Sequence, residues 1–372
     1  AGVGKAAQLR DGSRHPFGML GGVTALGGGE LEVYRQIRNA VPILDAAIGK
    51  LVRLTGGFTV SCGNRKAERE LERFLKTVNA GRGQVGLESF LAAFLQSMLV
   101  YGRAVGEMVV GGNEITAVLW GDVTKLYVQE GSSPMDFAFG QWQDAEVKIF
   151  PRQNLILFAA WNPDEENPYG ASVFRSMPFL VDVLLKIYST IGTNWERAGN
   201  VRYSVVYKPQ DEAGRIDAQE RSEQIASQWS QAMQESRHGV VRDFVAVGDV
   251  QIKVIGADGQ ILDSEVPVRQ ILEQLVAKTG LPPFLLGLNW ASTERMSAQQ
   301  TDLLTSELWA IRRTVEPVLL RICRLWMQLH GYAEEPEIVW DEISLQDIVE
   351  QAHAALYRAQ AEKLTAEQEE TT

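Results

Sequence analysis

From Leu304 to Leu329 apolar residues recur in steps of three and four: Leu304, Leu308, Ile311, Val315, Leu319, Ile322, Trp326 and Leu329. That period draws one apolar stripe along a helix of about seven turns, and the rest of the chain must pack against such a rod. Pro317 falls inside it, removing an amide donor and crowding the preceding turn, so a kink is expected there. Upstream, Val266–Lys278 reads as a shorter helix. Gly280 stops it, and Leu281-Pro282-Pro283 forbids its resumption. Between the two helices, Leu286–Arg295 reads as a polar, exposed loop. None of this is catalytic chemistry. It is a shape.

At 372 residues the chain can build a large core, as two or three domains or one elongated subunit. A hydrophobic fraction of 45% and a charged fraction of 22% belong to an ordinary folded soluble protein. The formal net charge of −11 repels nucleic acid, which excludes a simple basic DNA binder. It does not exclude a protein that lets DNA pass without holding it. Cys62 and Cys323 give neither a disulfide framework nor a zinc spacing, and two cysteines suit a reducing compartment. No run approaches the length of a membrane span. Residues 1–30, with Lys5, Arg10, Arg14 and clustered glycines, lack a continuous apolar stretch and read as a flexible arm rather than a secretory signal.

After the arm, Leu31–Leu54 reads as a helix bent at Pro42, then Gly57–Val60 as a strand and Ala67–Val78 as a charged amphipathic helix. Asn79–Gly86 reads as a helix–helix loop before a third helix, Leu87–Tyr101. From Gly102 the period turns to two. Ala104–Val110 and Ile115–Trp120 flank Gly111-Gly112-Asn113-Glu114, a hairpin, with further strands at Lys125–Val128, Phe137–Gln143, Val147–Phe150 and Leu155–Ala159. These predict a small antiparallel sheet packed on the first helices, an α+β arrangement. Ser172 is expected to cap a helix through Asn194 that is apolar almost all round, and neighbouring subunits would cover it. Val201–Tyr207, a glutamine-rich helix over Ala218–Ser236, and strands Asp243–Val247 and Val250–Val254 form a β-α-β insert. Strand Glu337–Trp340 and a helix from Ser344 to about Lys363 close the chain.

The residues that could carry chemistry have stronger bland readings. Gly81-Arg82-Gly83-Gln84-Val85-Gly86 matches the dinucleotide glycines, but that fingerprint needs a strand before it and a phosphate-binding helix after it. Here a charged helix precedes, so the run reads as a helix–helix loop rather than a cofactor site. Asp164-Glu165-Glu166 and Asp341-Glu342 lack a histidine partner or ligand spacing and read as solvated loop charge. His15, His238, His330 and His353 share no metal-binding spacing, and no serine sits in a nucleophile elbow. No catalytic, cofactor or metal residue is assigned. Trp290, beside Asn289 and Ser292, reads either as an exposed contact residue or as a buried loop anchor.

Four runs, taken in order, carry a family likeness: Tyr101–Glu107, Asn167–Ser172, Thr279–Gly287 followed by Ser292–Ser297, and Ile338–Glu342. In that order the chain resembles a tailed-bacteriophage portal protein, the ring at a capsid vertex through which DNA is packaged and ejected. The resemblance spans nearly everything after residue 30; each run alone is degenerate. It implies an elongated α+β subunit, mostly helical, with an arm (1–30), an α/β wing (31–170), a stem helix (171–199) and a clip (200–256). A second stem helix (257–282), a tunnel loop (283–297), a long kinked helix (298–331) and a strand with a short crown helix (332–372) would follow. Asn289, Trp290, Ser292, Thr293, Glu294 and Arg295 would face DNA, with the kink at Pro317. The implied partners are further copies in a dodecameric ring, the major capsid protein, the terminase large subunit, a head–tail adaptor and double-stranded DNA. Neither cofactor nor membrane is implied. The place would be the virion, after assembly in the bacterial cytoplasm. The alternatives are another ring-forming head–tail connector, usually a shorter chain, and a nucleotide-binding enzyme resting on Gly81–Gly86.

Overall fold

The computed structural model describes residues 29–132, 137–143, 146–165, 167–199, 202–208, 223, 227, 249–255, 264–288 and 294–343. The chain divides into two compact units, Ala1–Val183 with Arg269–Thr372, and Leu184–Val268.

The larger unit starts with α1 (Glu30–Ala40) and α2 (Pro42–Thr55). The single bent helix expected here is instead broken. Val41, pushed out of the helical region by the following proline, is extended at φ −119° and ψ 95°, and Pro42 opens α2 at the position where its missing N–H costs least. Strand β1 (Phe58–Ser61) leads to α3 (Arg65–Thr77), whose first amides at Lys66 and Ala67 donate to the Asn64 side chain. The stretch 79–86 is not a plain helix–helix loop. It forms a hairpin of β2 (Asn79–Gly81) and β3 (Gln84–Val85) with Arg82 at φ 51° in the turn. The next helix, α4 (Leu87–Tyr101), buries Phe90, Phe94, Leu95, Met98 and Leu99 against α1, α2 and the sheet.

Strands β4 (Arg103–Gly111) and β5 (Glu114–Trp120) pair as the expected hairpin. With β9 (Ile156–Ala160) they make a five-stranded sheet in the order β3-β2-β5-β4-β9. The sheet is mixed rather than antiparallel, because β2 runs parallel to β5 through Asn79 and Ala117. A separate antiparallel sheet holds β6 (Leu126–Glu130), β7 (Phe137–Gln143) and β8 (Glu146–Ile149) in that order. One helix begins later than expected: α5 runs Pro178–Gly199. Ser172 caps only a turn, its hydroxyl accepting from the Phe174 amide at 2.9 Å and donating to the Val100 carbonyl at 2.5 Å.

In the smaller unit β10 (Arg202–Lys208) and β11 (Asp249–Ile255) pair antiparallel, close to the expected bounds. The Ala218–Ser236 helix and the Asp243–Val247 strand fall outside the described residues, apart from helical positions at 223 and 227. Next come α6 (Glu265–Thr279), a 3-10 turn at Pro283–Leu286, and α7 (Glu294–Leu329), with Pro317 inside. The predicted stripe is the buried face of α7: Leu304, Leu308, Ile311, Val315, Leu319, Ile322 and Trp326. Strand β12 (Glu337–Trp340) pairs antiparallel with β1. The arm and the expected crown helix lie outside the described residues.

Candidate assembly and channel surfaces

The runs that carry the family likeness turn out to be places where distant backbone segments interlock. Tyr101–Glu107 and Asn167–Ser172 meet each other. The Trp161 amide donates to the Gly102 carbonyl and the Ala171 amide to the Trp161 carbonyl, both at 2.7 Å, while the Val173 amide reaches Leu99 at 3.0 Å. Gly102 (φ 79°) and Gly170 (φ 104°) face each other so closely that a Cβ at Gly170 would lie 1.9 Å from the Gly102 carbonyl oxygen. Only glycine fits.

The run Ile338–Glu342 brings β12 against β1 and α7. The Asp341 amide donates to Gly57 at 3.1 Å. Trp340 donates from Nε1 to Glu316 at 3.0 Å and, with Trp309, sandwiches the Arg312 guanidinium, which lies 5.1 Å from each ring. Arg312 is 1% exposed, and its Nε donates to the Thr55 carbonyl at 2.8 Å. Burial weakens its hold on the proton, and the charge of Asp341 opposes that loss. Further along α7, Arg321 ties the helix to the sheet through the Ile156 and Asn154 carbonyls at 3.0 and 2.6 Å. Cys323 is fully buried, and its thiol is pushed up to about 12 by burial alone, as befits a small hydrophobe rather than a nucleophile.

The run Thr279–Gly287 shapes the approach to the proposed tunnel loop. Thr279 closes α6 by donating to Val276 at 2.7 Å, and Gly280 takes φ 73°. Leu281 is buried, and left-handed Gly287 ends the 3-10 turn. Of the residues expected to face DNA, Asn289, Trp290, Ser292 and Thr293 lie outside the described residues. Glu294 and Arg295 are the first two residues of α7 rather than loop, so the helix begins earlier than the predicted 283–297 boundary allows. Nothing in the sequence marked that start, because the first turns of α7 are polar.

Among the described residues two kinds of surface stand exposed. On α5 no described side chain after Leu184 is buried, and Phe179 and Trp195 are 72% and 66% exposed. On α7, Leu303 and Trp309 are exposed. Periodicity foresaw the first; the second lies off the predicted stripe. The other surface is an open strand edge. Residues Phe58, Thr59 and Val60 of β1 line a groove of about 750 Å³ whose far wall is α3 and the start of α4. Among the described residues no group of three or more His, Cys, Asp or Glu could hold a metal ion, and no helix is long and apolar enough to cross a membrane.

No family model and no curated protein matches this chain. Solved structures do. A chain from the neck of an empty gene transfer agent particle, computed with C6 symmetry, aligns at TM-score 0.65 and 18% identity over 92% of this chain and 93% of that one. One from the neck of the native particle, computed with C12 symmetry, aligns at 0.63 and 16% over 89% and 88%. One from the virion of the native particle aligns at 0.63 and 17% over 91% and 89%. The chain is therefore a mixed α+β protein with the fold of these gene transfer agent chains along nearly its whole length.

Proposed function

We propose that this chain is a portal subunit of a tailed phage or phage-like particle. Copies close into a ring, dodecameric in the particle, at one capsid vertex, and double-stranded DNA enters and leaves through its channel. The observation that carries the reading is the fold shared end to end with chains of a particle neck. The apolar side chains that α5 leaves uncovered supply what neighbouring copies would bury. A net charge of −11 suits a channel wall, because each phosphate neutralised would add affinity and drag on moving DNA.

In this reading residues 31–170 are the wing, 171–199 and 257–282 the stem, and 200–256 the clip that meets the terminase large subunit and later the head–tail adaptor. Within the expected 283–297 stretch residues 289–293 form the tunnel loop, α7 (Glu294–Leu329) is the long helix behind it, and 332–372 hold a strand and short crown. The major capsid protein surrounds the ring, and the chain itself performs no catalysis. Light scattering and negative-stain microscopy of the purified protein test this. Rings of about a dozen copies with a central hole are expected. A compact monomer or dimer that binds a nucleotide, and that stays out of rings in assembled particles, would overturn it.

A further inference from the structure

Among the described residues strand β1 has one partner, β12, and its other edge is open. The bond from the Asp341 amide to the Gly57 carbonyl fixes which groups point where. In an antiparallel ladder the hydrogen-bonded pairs alternate. With Thr59 opposite Val339, the backbone groups of Thr59 and Ser61 face β12, and those of Phe58 and Val60 point out into the groove. Strand β8 is likewise the edge of its sheet. The Phe150 amide bonds the Phe139 carbonyl, so Lys148 and Glu146 face β7, and the backbone groups of Val147 and Ile149 point outward. Each edge thus offers two free residues spaced by two.

We propose that the groove along β1 receives β8 of a neighbouring copy as an antiparallel strand, an inference that rests on the ring reading and names one of its contacts. Phe58 pairs with Ile149 and Val60 with Val147, so both sets of free backbone groups are satisfied, and the four side chains share one face. Charge selects this direction. At the Ser61 end the groove is lined by Arg65, Arg69 and Glu68, whose carboxylate is taken up by the Ser61 hydroxyl and the Cys62 and Gly63 amides, so this end is net basic. At the Gly57 end stand Glu88 and Asp341, whose carboxylate oxygens would lie 3.9 and 2.7 Å from a Cβ placed on Gly57. The antiparallel register sends Glu146 to the basic end and Lys148 toward the acidic one. Both are exposed, as is Ile149, so β8 is free to enter. A second β1 would bring its own α3 into the groove, whereas β8 stands at a bare edge. Because the two surfaces differ, the contact is heterologous, the kind that repeats around a ring.

Disulfide trapping tests the register. In a Cys62→Ala background, Thr59→Cys and Lys148→Cys chains are prepared separately, mixed, assembled and oxidised with copper phenanthroline. These positions form a non-hydrogen-bonded pair, the closer kind. Linkage at least about tenfold above either chain alone is expected, as is a ladder of linked subunits from the double variant. Thr59→Cys paired with Glu146→Cys, a diagonal pair, links poorly. Val60→Pro removes an N–H that β12 does not use, at an edge position where proline is tolerated, and is expected to keep the thermal transition and lose the ring. Rings without the 59–148 link overturn the proposal and leave the ring reading standing. Dimers from Thr59→Cys alone, or photo-crosslinking from position 59 to any other segment or particle protein, assign the groove elsewhere and overturn it too. A chain that never forms rings, even in particles, removes both readings.

Discussion

Replacing Gly170 by alanine separates a steric clash from backbone strain, with Gly112 as the control. Both residues sit at positive φ, 104° and 64°, so each alanine pays a left-handed cost of about 1–2 kcal/mol. At Gly112 nothing lies within 4 Å of the new Cβ, and the cost ends there. At Gly170 the Cβ would lie 1.9 Å from the Gly102 carbonyl oxygen and 2.9 Å from the Trp161 nitrogen, both backbone atoms that cannot swing aside. Opening that gap breaks the 2.7 Å bond from Trp161 to Gly102, at about 1–3 kcal/mol for a buried amide left unpaired. Overpacking adds about 1–3 kcal/mol. Gly170→Ala is therefore expected to lose about 3–8 kcal/mol in total, a large part of a typical domain's stability, and about 2–6 more than Gly112→Ala. Urea unfolding followed by tryptophan fluorescence measures both. Equal losses at the two positions would refute the interlock.

Other perturbations read other parts of the structure. Arg312→Met forfeits the bond to Thr55 and two cation–π contacts but also removes a buried, unpartnered Nη1, so a net loss of about 1–3 kcal/mol is expected by urea unfolding; a gain would mean the cation is dispensable. Cys323 stays protonated in the folded state up to about 12, whereas an unfolded thiol ionises near 9. Its stabilisation is thus full below pH 9 and is lost as pH rises toward 12, at about 1.4 kcal/mol per unit, and Cys323→Ala should remove one proton from the alkaline slope of stability. Pro317→Ala restores an amide inside α7 and is expected to straighten it and impair ring closure or DNA filling, read by microscopy and packaged DNA; unchanged particles would count against the kink. Shortening residues 289–293 should leave rings intact and lower DNA retention, and loss of folding would show that the loop belongs to the core.

Periodicity found the elements that bury a regular face. The stripe of α7, the whole of α4 and the β4–β5 hairpin appear where steps of three and four, or of two, placed them. It failed where a tertiary partner decides. Ser172 has the chemistry of a helix cap, but its hydroxyl is drawn to the Val100 carbonyl, and the helix waits until Pro178. Asn79–Gly86 is too short and polar to read as strands; β2 exists because β5 offers it an edge. Pro42 was visible, but whether it bends or breaks a helix depends on the path of the chain around it. The surfaces proposed to function divide the same way. The apolar faces of α5 were legible as residues lacking a cover, because composition alone leaves them unmatched. The open edge of β1 was not, since it exists only once β12, some 280 residues later, takes one side and leaves the other. A ring needs surfaces of both kinds, and only those that advertise unburied apolar area can be seen before the chain folds.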